Sequence, residues 1–179
     1  MKTQSPRPQA FTLIEILIVI AIIGILMALL FPAINGAILS ARRAQARNDV
    51  VQIATAVTGY VTEYGRYPTN VAGPVDVSGY LLEQLMGSNA RAIVFLEVQN
   101  AKLRPKGPGQ SGFFDGAFVD PWGDPYQVAF DLTYMSTLSG VGPKGEKIRK
   151  SVAVWNDPAK GNNKDKYPTQ LERRHAESW

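Results

Sequence analysis

Glu15 carries the most unusual chemistry in this 179-residue chain, as the one carboxylate in AFTLIEILIVIAIIGIL, residues 10–26. An ionised side chain at the centre of a membrane span costs about 3 kcal/mol even on lenient insertion scales. At headgroup depth a long side chain relieves that cost by snorkelling to water. A second set of candidates lies near the other end. VWNDPAKGNNKDKYP gathers Asn156, Asp157, Asn162, Asn163 and Asp165 around a glycine, and hard cations such as Ca²⁺ take several oxygen ligands at once. The same composition also makes an ordinary polar loop. Other chemistries lack their parts. With no cysteine there is no disulfide, thiolate nucleophile or cysteine-ligated metal. The single histidine, His175, sits in the polar tail LERRHAESW, so neither a hydrolytic triad nor a metal-hydrolase site is expected. GVGPKGEK does not match the phosphate-binding P-loop spacing and reads as a loop.

The elements that position these residues begin with the apolar run. From Ile16 to Ile34 no side chain is charged or strongly polar. As a helix rising about 1.5 Å per residue, that length crosses a hydrocarbon core of about 30 Å. A core helix would keep one polar face, and this one has none. Ahead of it, MKTQSPRPQA is short and polar, with Lys2, Arg7 and two prolines. A secretory signal carries its small-residue cut site after the apolar stretch. Here the small residue, Ala10, stands before it, so a cut there would leave the span on the mature chain. Lys/Arg counting leaves the topology open, because Lys2 and Arg7 precede the span while Arg42, Arg43 and Arg47 follow it. The arginine group suits a solvated helix face or anionic lipid equally. The net charge of +4, or +2 once Lys2 and Arg7 are removed, gives no support to nucleic-acid binding.

The helix is expected to continue past the span. Ile34, Ile38, Ala41, Val50, Ala54, Val57, Val61 and Tyr64 recur at steps that mark one face, opposite Arg43, Arg47, Asn48, Gln52 and Glu63. Pro32 removes a backbone donor and is expected to kink or loosen the helix, or to divide two helices. Gly65 and Pro68 end it. Residues 70–78 and RPKGPGQSG read as loops, GYLLEQLMG as a short helix with Leu81, Leu82, Leu85 and Met86 inward, and ARAIVFLEVQNAKL as strand or helical turn. In FVDPWGDPYQVAFD, the prolines and Gly123 force a turn beside Trp122 and Tyr126, and a strand follows over 126–132. A second strand over 151–155 is placed to pair with it antiparallel across a loop.

AFTLIEILIVIAIIGILMALLFPAI resembles the cleavage and methylation signature of type IV prepilins and type II secretion pseudopilins. GRYPT and DPWGDPY, in that order, resemble the helix–body junction and sheet-entry turn of the major pseudopilins of type II secretion, also called the general secretion pathway protein G family. The resemblance implies that a prepilin peptidase cuts between Ala10 and Phe11 and N-methylates Phe11, with Ala10 standing where the family usually has Gly. It implies that Glu15 pairs with the Phe11 ammonium of a neighbouring subunit and selects the register of assembly, and that Pro32 marks a point of local melting. It implies a structural calcium held by Asp157 and Asp165, with Asn156 beside them and Lys164 where a further acid is expected. The partners implied are a homo-oligomeric filament, the prepilin peptidase, minor pseudopilins and an inner-membrane assembly platform. The expected architecture is α+β and pilin-like: leader 1–10, transmembrane and filament-core helix 11–34, amphipathic continuation 35–67, and a periplasmic body 68–179 with a small antiparallel sheet. The function implied is that of a non-enzymatic pseudopilus subunit in the inner membrane. Two alternatives stand beside it, a surface type IV pilin or minor pilin, and a monomeric membrane-anchored binding protein.

Overall fold

The computed structural model describes residues 12–104, 116–142, 144–156 and 176–179. Its chain divides into two compact units, Met1–Ser40 and Ala41–Trp179. Helix α1 (Leu13–Tyr64) supplies residues to both. In the first unit, every residue from Thr12 to Phe31 is exposed, so no described residue covers the apolar run, which is long and apolar enough to cross a membrane. The helix is continuous through Pro32 and ends at Gly65, whose positive φ of 65° suits a residue without a Cβ.

In the second unit, α1 buries Ala46, Asp49, Val50, Ile53, Val57 and Tyr60. This stripe passes through Ile53 and Tyr60, whereas hydropathy alone points to Ala54 and Val61. The larger side chains fill the interface, and buried Asp49 extends the stripe into a polar position.

Around that face the chain builds strand β1 (Val75–Asp76), helix α2 (Gly79–Leu85), a 3₁₀ turn at Asn100–Lys102, and strands β2 (Leu103–Arg104) and β3 (Ala117–Phe118). Strands β4 (Tyr126–Phe130), β5 (Leu138–Val141), β6 (Glu146–Ile148) and β7 (Val152–Asn156) follow. β1, β4 and β7 form an antiparallel sheet in that order, with Val128 paired to both Val75 and Val154. Residues 91–99 form neither the strand nor the helical turn suggested by their apolar content. The segment over 138–148 is a bulged hairpin, β5–β6, and not the loop its Gly/Pro/Lys content suggests.

That hairpin explains why Ala129 is buried along with Tyr126, Val128 and Phe130. Alternate residues of a strand face opposite sides. The Tyr126 face looks toward α1, while Ala129, Ala153 and Trp155 pack with Leu138, Val141 and Ile148 of the hairpin. The C-terminal residues complete the sheet edge. Trp155 bridges Glu177, the Ser178 N–H donates to the Val154 carbonyl (3.0 Å), and Trp179 meets Trp155 edge to face.

Candidate functional site

The head of α1 is closed by a reciprocal pair. The backbone N–H of Thr12 donates to Glu15 Oε2 at 2.7 Å, and the Thr12 hydroxyl donates to the same oxygen at 2.8 Å. In return the Glu15 N–H approaches Thr12 Oγ1 at 3.4 Å. With Thr12 at the N-cap and Glu15 three residues on, this is a capping box, which satisfies donors that the first helical turn leaves open. The negative charge also suits the positive end of the helix dipole. Both residues are exposed, and Glu15 Oε1 has no hydrogen-bond partner among the described residues. The carboxylate can therefore hold the cap through one oxygen and accept a cation through the other.

The second group fixes α1 to the body. Asp49 is fully buried. Its Oδ1 accepts from Lys102 Nζ at 2.6 Å and its Oδ2 from the Tyr126 hydroxyl at 3.1 Å. Lys102 enters from the 3₁₀ turn, and its ammonium also lies 5.9 Å from the centre of the Phe118 ring. Burial, and then the neighbouring Asp49 charge, push the Tyr126 phenol well above its ordinary range, so it remains a donor. A buried carboxylate is tolerated when paired and hydrogen-bonded, and it ties helix, turn and β4 to one register.

The third group lies in DPWGDP. Asp120 Oδ1 accepts from the N–H groups of Trp122 and Asp124, both at 2.9 Å, which closes the turn. Asp120 Oδ2 accepts from Asn156 Nδ2 at 2.8 Å, and Asn156 Oδ1 accepts from the Ala176 N–H at 2.7 Å. Burial pushes the Asp120 carboxyl upward, opposed by these hydrogen bonds, Asn156 first among them. The turn and both flanks of segment 157–175 thus share one hydrogen-bond chain.

Comparison with known proteins bears on the head of α1 directly and on the chain as a whole. The family described as the prokaryotic N-terminal methylation motif matches residues 6–31. The type II secretion system core protein G of Aeromonas hydrophila is 30% identical over 125 residues, 70% of this chain and 75% of the relative. That of Pseudomonas aeruginosa is 32% identical over 124 residues, 69% of this chain and 75% of the relative. The chain belongs to the core protein G family of type II secretion systems. A more distant core protein G, from Vibrio cholerae, is 27% identical over 160 residues and covers 84% of this chain and 93% of its own length. No solved structure gives a match.

For a core protein G, the expected sites fall unevenly on the structure. Glu15 lies at the head of an exposed apolar helix, and Pro32 lies inside that helix. Asn156 is buried and engaged with Asp120 and Ala176. Ala10, Phe11, Asp157 and Asp165 lie outside the described residues. Among the described residues, no three Asp, Glu or His side chains gather as a cation cage. Two functional partners escape a reading by hydropathy. The signal that would have found Thr12 is the T-x-x-E spacing of a capping box. Lys102 gave no local signal, because it meets Asp49 across 53 positions of sequence.

Proposed function

We propose that this chain is the structural subunit of a type II secretion pseudopilus, assembled through the apolar half of α1. The observation that carries this reading is the run from Thr12 to Phe31, which the described residues leave exposed throughout, with one charged side chain at its head. A surface of that length needs lipid or other copies of itself. Lipid serves the stored subunit, with α1 as a single inner-membrane span and the body in the periplasm. Neighbouring helices serve the filament.

In this reading a prepilin peptidase cuts between Ala10 and Phe11 and methylates Phe11. The new ammonium then pairs with Glu15 of an adjacent subunit. The Thr12 cap uses an amide that exists before and after the cut, so it persists while Glu15 gains its partner. A subunit entering out of register leaves a carboxylate and an ammonium unpaired in a medium of low dielectric, a penalty that selects the correct register. Pro32 supplies the point of loosening as the helix leaves the bilayer. The further partners are minor pseudopilins and an inner-membrane assembly platform.

For calcium, we propose Asp157 and Asp165 as the carboxylate ligands. Asn156, which adjoins Asp157 in sequence, has its side-chain amide bonded to Asp120 and Ala176 and would support the site from there. Calcium would neutralise the paired acids and hold the loop they belong to.

The reading is tested by overproducing the chain with its peptidase and assembly proteins, then examining sheared material by electron microscopy and intact-mass measurement. Filaments are expected whose subunit starts at a methylated Phe11. Processed protein that never leaves the membrane as filaments would contradict the proposal.

A further inference from the structure

The hairpin β5–β6 carries a charge imbalance for which the fold has no use. From Lys144 to Lys150 the sequence KGEKIRK holds four cations and one carboxylate, Glu146. Lys144, Lys147, Arg149 and Lys150 are all exposed. Among the described residues none of the four forms an ion pair, the two bridges there being Arg91–Glu63 and Lys102–Asp49. Strand geometry aims the charge outward. Ile148 packs on the cluster of Ala129, Leu138, Val141, Ala153 and Trp155, so its neighbour Lys147 stands on the opposite face, across from exposed Ser139. A lysine on a two-stranded edge discourages strand addition. One or two suffice for that, and here four are grouped within seven residues.

We infer that this hairpin is an electrostatic contact surface for the anionic headgroups of the bilayer in which the chain's own helix is anchored. The inference rests on the membrane-anchored reading above. Two observations favour lipid over an acidic protein. Protein interfaces rely on large aromatic or aliphatic anchors at their centre, and among the described residues of the hairpin no large apolar side chain is exposed, Ile148 being turned to the core. Adsorption to headgroups needs only accessible cations and is worth about a fivefold gain in partition for each one near the surface. A second copy of this chain is a poor partner, because its net charge of +4 repels the patch. The span, in contrast, tethers the hairpin to a bilayer, and tethering raises its effective concentration toward an anionic surface. Such a contact would park the body of a stored subunit against the membrane and release it on extraction.

The chain has no cysteine, so single labels are clean. Full-length protein carrying Ser139→Cys with a fluorophore is placed in vesicles whose headgroups bear a quencher, made with or without phosphatidylglycerol in phosphatidylcholine. A separate Leu26→Cys label reports insertion of the span. Quenching at residue 139 is expected only with phosphatidylglycerol. Raised salt should abolish it, and so should the combined K144Q, K147Q, R149Q and K150Q changes, which touch exposed side chains and leave the fold intact by circular dichroism. Normal insertion at residue 26 without lipid-dependent quenching at 139 overturns the inference and leaves the anchored reading standing. Loss of the residue 26 signal overturns the anchoring and the inference together. Protection at 139 that appears only when an acidic protein is added, and not with phosphatidylglycerol, also overturns it.

Discussion

Thr12 and Glu15 hold each other across the first turn of α1, with the Thr12 amide and hydroxyl both donating to one carboxylate oxygen. One acidic side chain thus serves a local role in the helix while keeping a second oxygen for a neighbour. The two roles separate by substitution. Glu15→Gln keeps an acceptor for the cap and loses the charge. Thr12→Val keeps the charge and loses the cap, at about 1 kcal/mol of local helix stability. Pseudopilus yield is expected to collapse in Glu15→Gln and to fall only mildly in Thr12→Val. Amide exchange in micelles should show the reverse order over residues 13–16. Equal assembly in Glu15→Gln and the unmodified chain would remove the ion pair from the account.

The Asp49–Lys102–Tyr126 group makes a prediction about stability. Lys102→Met leaves a buried carboxylate without its cation, and Lys102 is itself partly exposed, so a loss of about 2–3 kcal/mol is expected. Tyr126→Phe removes one hydrogen bond to a charged acceptor and should cost about 1.5–3 kcal/mol. Asp49→Asn combined with Lys102→Met should recover part of the first loss, because the uncompensated charge is gone. Chemical denaturation of these variants, with Asp49→Asn alone to close the cycle, measures these differences, and simple additivity of Asp49→Asn and Lys102→Met would contradict the coupling.

Asp131 predicts a pH dependence. Its Oδ1 accepts from the hydroxyl and N–H of Thr133 and its Oδ2 from the Thr137 N–H, which hold the carboxyl below its ordinary range, the Thr133 hydroxyl chiefly. A depressed folded-state value means that the unfolded chain binds the proton first. Asp131 therefore stabilises the fold above the ordinary aspartate value near 3.9 and loses that contribution as pH falls from there through its lower folded-state value. Thermal midpoints measured across that window should drop more steeply for the unmodified protein than for Asp131→Asn.

The long helix, the short helix α2 and the β4–β7 pairing were legible because each depends on local periodicity and turn residues. Leu81, Leu82 and Leu85 face inward as their spacing requires. The hairpin β5–β6 was hidden. Its inward residues Leu138, Val141 and Ile148 are spread among glycines and lysines, and only packing against Ala153 and Trp155 reveals them. Asp49 was hidden for a different reason. A carboxylate on the core face of a helix reads as a defect until Lys102 and Tyr126 arrive from elsewhere in the chain. Among the candidate sites, Glu15 and the cut before Phe11 stand out as motif, whereas the bonds of the Asn156 amide to Asp120 and Ala176 join residues far apart in sequence and leave no local signal.

The loop reading gives a prediction with metal. Ca²⁺ is expected to raise the thermal midpoint, a chelator to lower it, and Asp157→Ala or Asp165→Ala to abolish the difference. Asp120→Ala should lower the midpoint with or without the metal, since it strips acceptors from Trp122, Asp124 and Asn156. A midpoint indifferent to Ca²⁺ would exclude a structural calcium.

In the proposed filament the exposed half of α1 is covered by the same helix of neighbouring copies. Because the chain has no cysteine, an Ile20→Cys variant expressed with its secretion system and treated with a short bifunctional thiol crosslinker measures this directly. Covalent multimers are expected, and they should disappear when Glu15→Ala is added. A monomer throughout, or multimers indifferent to Glu15, would contradict this packing.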